Sequence, residues 1–345
     1  LIVIVKHYLK GDFLSEIRNE QSLLVVTGAN GFIGSCLVAE LNRQGHLVVA
    51  VDLVTKKERS LPISAVHKGP FLNHRELWPY LEENKKSVKW VFHMGANSST
   101  TETNKNLLWE LNTLYTEKLF SWCTQNNVNL VYASSGATYG SGEKGYDDRT
   151  DSELLKPLNL YGESKVEVDR WVLKQKARPE HWYGLKFFNV FGPNEYHKGP
   201  MSSVVFKAVN QIKSTGKVQL FKSYKQEFGD GDQMRDFVYV KDIVDWMIEL
   251  MICKPESGLY NMGFGKARSW NDLTKAVFAA LNLPARIEYI EMPAELKNQY
   301  QYFTEAKMEK LFSTELSKPK WPLEKAIDDY VKKYLMDEEC KYMSY

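Results

Sequence analysis

Nowhere in the 345 residues does an apolar run approach the roughly 18 consecutive residues that a transmembrane helix needs. Residues 1–5 are apolar but give way to Lys6 and His7, too soon for the core of a secretory signal, so a soluble cytoplasmic protein is expected. Cysteine is scarce and scattered at Cys36, Cys123, Cys253 and Cys340, with no Cys-x-x-Cys and no histidine pair at ligand spacing. That excludes a disulfide framework and a zinc site, and predicts free thiols and no metal. An excess of either charge is also missing. The formal net charge is +2 and no basic stripe stands out, so no nucleic-acid partner and no membrane surface are expected. Internal repeats and low-complexity segments are absent.

What is present is an ordinary globular composition, 43% hydrophobic and 26% charged, in a chain long enough for one large domain or two intertwined ones. Residues 1–21 show no period and read as an N-terminal extension. From residue 22, short apolar runs alternate with helical spacing. Leu23-Leu24-Val25-Val26 is followed by Ile33, Leu37, Val38 and Leu41, then by Leu47-Val48-Val49-Ala50-Val51. Further runs are Trp90-Val91-Phe92-His93, Leu130-Val131-Tyr132-Ala133 and residues 183–188. Strands alternating with helices predict an α/β fold, a Rossmann-type doubly wound parallel sheet, with a smaller C-terminal substrate-binding lobe. The predicted division is a dinucleotide-binding domain at 22–190 with a return segment near 236–262, and a lobe from 191–235 and 263–345.

Gly28-x-x-Gly31-x-x-Gly34 lies between a predicted strand and a predicted helix, the context a dinucleotide fingerprint requires. The first glycine permits the turn, the second lets backbone amides approach a pyrophosphate, and the third lets the helix pack on the sheet. Pyrophosphate is favoured there by unpaired N–H groups and the helix dipole. Asp52, at the end of the second strand, is placed to accept from an adenosine ribose hydroxyl, which predicts NAD. Lys56, Lys57 and Arg59 follow at once and suit a 2′-phosphate, which predicts NADP. On these residues alone both cofactors stay open.

Tyr161 and Lys165 lie four residues apart and share one helix face. An ammonium beside a phenol favours phenolate, drawing a reference pKa of about 10 toward neutrality. Such a tyrosine exchanges a proton with a carbinol while hydride leaves or returns. Ser135 ends a predicted fourth parallel strand, where ligands of open sheets bind, and is placed to hydrogen-bond the reacting hydroxyl.

With this Ser/Tyr/Lys set the chain resembles the extended short-chain dehydrogenase/reductases that act on nucleotide sugars. Within them it is similar to the ADP-L-glycero-D-manno-heptose 6-epimerases, from residue 22 onward. The resemblance is carried by Phe92-His93-Met94-Gly95-Ala96-Asn97-Ser98-Ser99-Thr100-Thr101-Glu102 and by Lys156-Pro157-Leu158-Asn159. It continues in Phe188-Asn189-Val190-Phe191-Gly192-Pro193-Asn194-Glu195-Tyr196-His197-Lys198-Gly199 and in Met234-Arg235-Asp236-Phe237-Val238-Tyr239-Val240. It implies oxidation of an ADP-heptose at C6″ to a transient ketone by bound NADP, followed by hydride return with inverted configuration, in lipopolysaccharide inner-core biosynthesis. It also implies Lys198 as a second acid/base beside Tyr161, with Lys165 tuning Tyr161 and holding the nicotinamide ribose. Cofactor contacts carried over are Phe32, Ile33, Asp52, Leu53, Met94, Gly95, Ala96, Asn97, Ser98, Asn112 and Val190, with Lys57 or Arg59 on a 2′-phosphate. Substrate contacts are Ser135, Asn189, His197, Lys198, Phe221, Arg235 and Tyr300, with Arg235 the fork for the diphosphate. The resemblance further suggests a homo-oligomer.

Departures from the pattern are Pro200 where a polar residue is common, Lys207 where a histidine is common, Gly136 beside Ser135, and an insertion at residues 222–233. Other residues are read without chemistry. His93 is expected to pack at a strand end, Trp78, Trp90, Trp109, Trp122 and Trp171 to pack in the core or between helices, and residues 147–151 to form a solvated loop. The alternatives are another nucleotide-sugar epimerase or dehydratase, such as a UDP-hexose 4-epimerase, and a cofactor-binding scaffold without chemistry.

Overall fold

Alternate residues of each central strand point to opposite faces, and both faces are apolar, which is what lets helices cover the sheet on two sides. The computed structural model describes residues 23–53, 67, 69–297, 300–337 and 342–343. The expected N-terminal extension, Lys57 and Arg59 lie outside the described residues.

Strands β1 (Leu23–Thr27), β2 (Leu47–Asp52), β3 (Phe71–Asn73), β4 (Val88–His93), β5 (Asn129–Ser135) and β6 (Trp182–Phe187) belong to one parallel sheet. Its order is β10-β6-β5-β4-β1-β2-β3, with β10 (Gly258–Met262) paired parallel to β6. The strand bearing Ser135 is therefore the fifth in chain order. The three-residue β3 is too short and too weakly patterned to be read in advance.

Helix α1 (Phe32–Arg43) covers one face and α2 (Leu77–Asn84) the other. A third helical stretch, α3, runs from Lys105–Leu108 through a π-helical turn at Trp109–Leu114 into Tyr115–Asn126. It packs with α4 (Leu160–Lys174) on the α2 side, where Val25, Val91, Leu130 and Tyr132 meet Leu119, Phe120, Val168 and Val172. On the α1 side, Leu24, Val26, Phe92 and Leu185 meet Cys36, Leu37, Ile243 and Met247, the last two from α6 (Val240–Cys253). This is the doubly wound arrangement that the alternation predicted. The strand at 258–262 is the predicted return to the sheet.

Beyond β6 the chain builds smaller pieces. β7 (Asn189–Phe191), β9 (Met234–Tyr239) and β11 (Ala267–Ser269) form a three-stranded sheet, while β8 (Val218–Phe221) pairs with β12 (Ile287–Ile290). Helix α5 (Val204–Thr215) precedes β8, α7 (Trp270–Ala280) follows β11, and α8 (Leu323–Tyr330) packs against α7. The tryptophan expectation holds for four of the five: Trp90 and Trp122 are buried in the two cores and Trp78 and Trp171 pack against the one that holds Trp122, while Trp109 is half-buried outside both, with the Lys105 ammonium 5.3 Å from its ring. The loop at 147–151 differs from expectation. Asp148 is buried and accepts the Asn261 amide at 2.8 Å, because β10 has to be tied to the loop that follows β5.

Candidate active site

At the carboxyl ends of β1, β4 and β5 lies a cleft of about 820 Å³. Its floor is the glycine loop. Gly28 has φ +65°, and a Cβ there would come 2.6 Å from the Gly95 amide nitrogen. A Cβ on Gly34 would lie 2.1 Å from the Gly28 carbonyl oxygen, so only glycine lets α1 sit this close to the turn. Gly31 stands at the N-cap with no side chain capping the helix, and Gly31, Phe32, Ile33 and Gly34 all line the cleft. The free amides and the dipole at this end suit a pyrophosphate. Replacing Gly34 with alanine is expected to weaken dinucleotide binding roughly tenfold or more, about 1.4 kcal/mol, in a fluorescence titration. Unchanged affinity in a folded variant would refute this role for the loop.

Asp52 uses both carboxylate oxygens on backbone amides, Oδ2 on Asn30 at 2.8 Å and Oδ1 on Leu53 at 2.7 Å. Asp52 and Leu53 line one end of the cleft together with His74, whose amide donates to the Asp52 carbonyl at 2.8 Å. Met94, Gly95, Ala96, Asn97 and Ser98 form the adjoining wall. Asn112 does not line the cleft. It is fully buried in the π-helical turn, where its Oδ1 accepts the Asn97 amide at 2.8 Å and its Nδ2 donates to the Asn97 carbonyl and the Ser164 hydroxyl, both at 3.0 Å. Its place is behind the wall, holding it.

His93 ends β4, buried, with Nδ1 2.6 Å from the Thr27 hydroxyl and Nε2 3.0 Å from the Thr116 hydroxyl. Thr116 spends its proton on the Asn112 carbonyl, so Nε2 donates and Nδ1 accepts from Thr27. Burial, and then the nearby Lys165 cation, push this imidazole down to about 3, so it is neutral. It is packed at a strand end, as expected, although it also touches the cleft.

Ser135 closes β5, and its Oγ accepts the Ala137 amide at 3.1 Å, which opens the single turn Gly136–Tyr139. Tyr161 sits in the first turn of α4, whose start is fixed by Asn159 accepting from the Gly162 amide at 2.8 Å. The Ser135 hydroxyl lies near enough to Tyr161 to favour the ionised phenol. Lys165 is buried, and its Nζ donates to the Ala133 carbonyl at 2.8 Å. Burial brings Lys165 down to about 8, with the Asp169 carboxylate pulling the other way. The expectation of a phenol drawn toward neutrality is overturned. Burial raises Tyr161, and the neighbouring Ser135 hydroxyl offsets only part of that. Lys165 aims its ammonium at a backbone carbonyl of β5, so desolvation decides.

Lys198 enters from another segment, on the 3₁₀ turn Tyr196–Met201, with its Nζ 5.6 Å from the centre of the Phe32 ring. Burial lowers its pKa and the Glu195 carboxylate raises it again. Glu195 is buried and takes the Ser203 amide at 2.5 Å, the Ser203 hydroxyl at 2.7 Å and the Gly192 amide at 3.4 Å, pinning both ends of the Lys198 loop. Sequence reading passed over Glu195. Its only signal was a carboxylate three residues before a lysine. Asn189, Val190 and His197 line the same cleft. Two departures from the pattern touch each other, since Lys207 Nζ donates to the Pro200 carbonyl at 2.6 Å.

Phe221, Arg235 and Tyr300 form a separate cluster beside the cleft. The Arg235 guanidinium lies 5.2 Å from the Tyr300 ring and 5.6 Å from the Trp270 ring, and Trp270 lines the cleft. Trp270 Nε1 donates to the Tyr300 hydroxyl at 2.9 Å, and Phe221 meets Tyr300 edge-on at 6.4 Å. Trp270 was not anticipated, because an isolated tryptophan after a serine gives no periodic signal. Residues 222–233 fold back on themselves, with the Ser223 amide on Asp230 at 2.8 Å and the Tyr224 amide on the Tyr302 hydroxyl at 3.0 Å. Among the described residues there is no group of three or more His, Cys, Asp or Glu that could hold a metal ion, and no helix is long and apolar enough to cross a membrane.

Residues 24–263 match the profile of the NAD dependent epimerase/dehydratase family. A protein of Fusobacterium nucleatum named ADP-L-glycero-D-manno-heptose-6-epimerase is 45% identical over 329 residues, 92% of this chain and 99% of that one. A protein of the same name from Nitratidesulfovibrio vulgaris is 43% identical, over 91% of this chain and 98% of its own length. The crystal structure of the Helicobacter pylori ADP-L-glycero-D-manno-heptose-6-epimerase superposes with a TM-score of 0.75 at 28% identity, covering 91% of this chain and 96% of that one.

Proposed function

This chain belongs to the NAD dependent epimerase/dehydratase family, and from that premise we propose that it inverts C6″ of ADP-D-glycero-D-manno-heptose to give the L-glycero epimer. The likeness to heptose epimerases over nine-tenths of the chain supports the substrate. The observation that carries the mechanism is that Lys198 shares a cleft with Ser135, Tyr161 and Lys165 although it comes from a different segment. Inversion requires hydride to leave one face of a carbon and return to the other, which a single fixed proton carrier serves poorly.

The glycine cradle, the open end of α1 and the Met94–Ser98 wall fit a nicotinamide dinucleotide, which a side chain at Gly28 or Gly34 would exclude. When bound it accepts hydride from C6″ and returns it. Ser135 holds the C6″ oxygen. One of Tyr161 and Lys198 takes the hydroxyl proton as the C6″–H bond breaks, and the other gives a proton to the ketone oxygen on return. Burial keeps Tyr161 protonated and makes Lys198 readier than a surface lysine to give up its proton. Lys165 supports Tyr161 as a cation. It is charged below about 8 and neutral above, so kcat/KM is expected to fall about tenfold per pH unit above that point. A rate that stays flat to pH 10 excludes the cationic role.

The same reading assigns residues 22–190 and the 236–262 return to the cofactor, and 191–235 with 263–345 to the sugar nucleotide, with Arg235 on its diphosphate. It takes NADP as the dinucleotide, supported by the resemblance and by Lys57 and Arg59 following Asp52, and a cytoplasmic homo-oligomer as the working form. The deciding experiment is incubation with ADP-D-glycero-D-manno-heptose, following C6″ by NMR, with mass spectrometry of the cofactor that co-purifies. Inversion with NADP bound is expected. No turnover there, alongside turnover of a UDP-hexose, overturns the substrate.

A further inference from the structure

Between α4 and β6 lies an ion pair that the reaction does not use. Asp169 and Lys186 are 0% and 1% exposed, joined at 2.6 Å between Oδ2 and Nζ. Burying two charges is unfavourable unless both are fully bonded, and apolar residues of similar volume often hold a core equally well. Stability alone is therefore a poor reason for the pair. Its bonds point elsewhere. Asp169 stands one turn beyond Lys165 on α4, as Lys165 stands one turn beyond Tyr161. Its Oδ1 accepts from the Tyr132 hydroxyl at 3.0 Å and its Oδ2 from the Ser134 hydroxyl at 2.8 Å, both on β5. Lys186 Nζ, from β6, also donates to the Thr138 hydroxyl at 2.9 Å, and Thr138 passes its own proton to the Ser135 carbonyl at 2.8 Å.

We propose that Asp169 and Lys186 are positioning residues that clamp α4 to β5, fixing Ser135 through Thr138 and holding the charge of Lys165 through the Asp169 carboxylate. This rests on Ser135, Tyr161 and Lys165 being the reacting set. These three groups come from two elements, and a displacement of about 1 Å between them is enough to lower a rate on the order of a hundredfold. Among the described residues the pair is the ion pair that joins α4 to β6. The titratable groups around Lys165 are His93 from β4, which is neutral, Tyr132 from β5, Lys186 from β6, and Tyr161 and Asp169 from its own helix. Asp169 is the one anion in that set, so its removal leaves Lys165 easier to deprotonate.

The double variant Asp169→Asn/Lys186→Met removes both charges and leaves no unpaired ion in the core. Folded and with cofactor bound, it is expected to lose kcat by about 10- to 100-fold with KM nearly unchanged. Its alkaline limb is expected to move to lower pH by about one unit. A purely structural pair would lower the melting temperature and leave the limb in place, so an unmoved limb or a wild-type kcat overturns the proposal. Should the double variant fail to fold, Thr138→Val decides. It breaks the Thr138 bonds with Lys186 and with the Ser135 carbonyl and leaves the Asp169–Lys186 pair in place, and about a tenfold loss of kcat is expected where wild-type kcat would refute the clamp. Tyr161→Phe measured alongside separates the two failures, because full activity there removes the reacting set itself and not its support.

Discussion

Tyr161→Phe is expected to lower kcat about a thousandfold, ~4 kcal/mol of transition-state stabilisation, while the dinucleotide stays bound. The phenyl ring keeps its place in the first turn of α4, so Asn159 still caps the helix and the cleft keeps its shape. Only the hydroxyl beside Ser135 is lost, and with it the group that exchanges a proton at C6″. Steady-state epimerisation, with the absorbance of bound cofactor as a check on occupancy, measures the effect. Activity within threefold of wild type shows that some other group carries the proton.

Lys198→Met is expected to cost about a hundredfold or more, for a different reason. Methionine preserves the length of the stem and its contact with the Phe32 ring, and Glu195 still pins the loop at Gly192 and Ser203. What disappears is a nitrogen that burial has moved toward neutrality. If Tyr161 and Lys198 serve opposite faces, the two variants are complementary. Each should lose cofactor reduction from one epimer more severely than from the other, as seen in single-turnover mixing at 340 nm with each epimer in turn. Equal losses from both epimers in both variants count against two separate proton carriers.

Much of this site was legible from local pattern. The glycine loop was readable because its spacing and flanking periodicity reflect a backbone constraint, and Tyr161 and Lys165 because helical spacing puts them on one face. What escaped is tertiary. No local signal says that Asp169 bonds Tyr132 and Ser134 on another strand, or that Asn112 turns its amide behind the wall and not into the cleft. The state of Tyr161 was misjudged for the same reason. Proximity of a lysine is visible in the sequence, whereas the desolvation that outweighs it depends on everything packed around the ring. The lobe strands were also missed, since β7 and β11 have three residues each and hold together through partners distant in the chain.

The return of β10 to the edge of β6 has a bearing on how the chain is made. Trp182–Phe187 is almost wholly buried, yet the strand that covers its outer edge lies some seventy residues further on. During synthesis the half-built sheet therefore waits with an apolar edge open until Gly258–Met262 has left the ribosome. A fragment ending at Lys198 holds the glycine loop, Asp52, the Met94–Ser98 wall, Tyr161 and Lys165 and still lacks the strand Gly258–Met262. The sheet that carries the glycine loop is therefore completed by a strand that follows residues 191–235 in the chain.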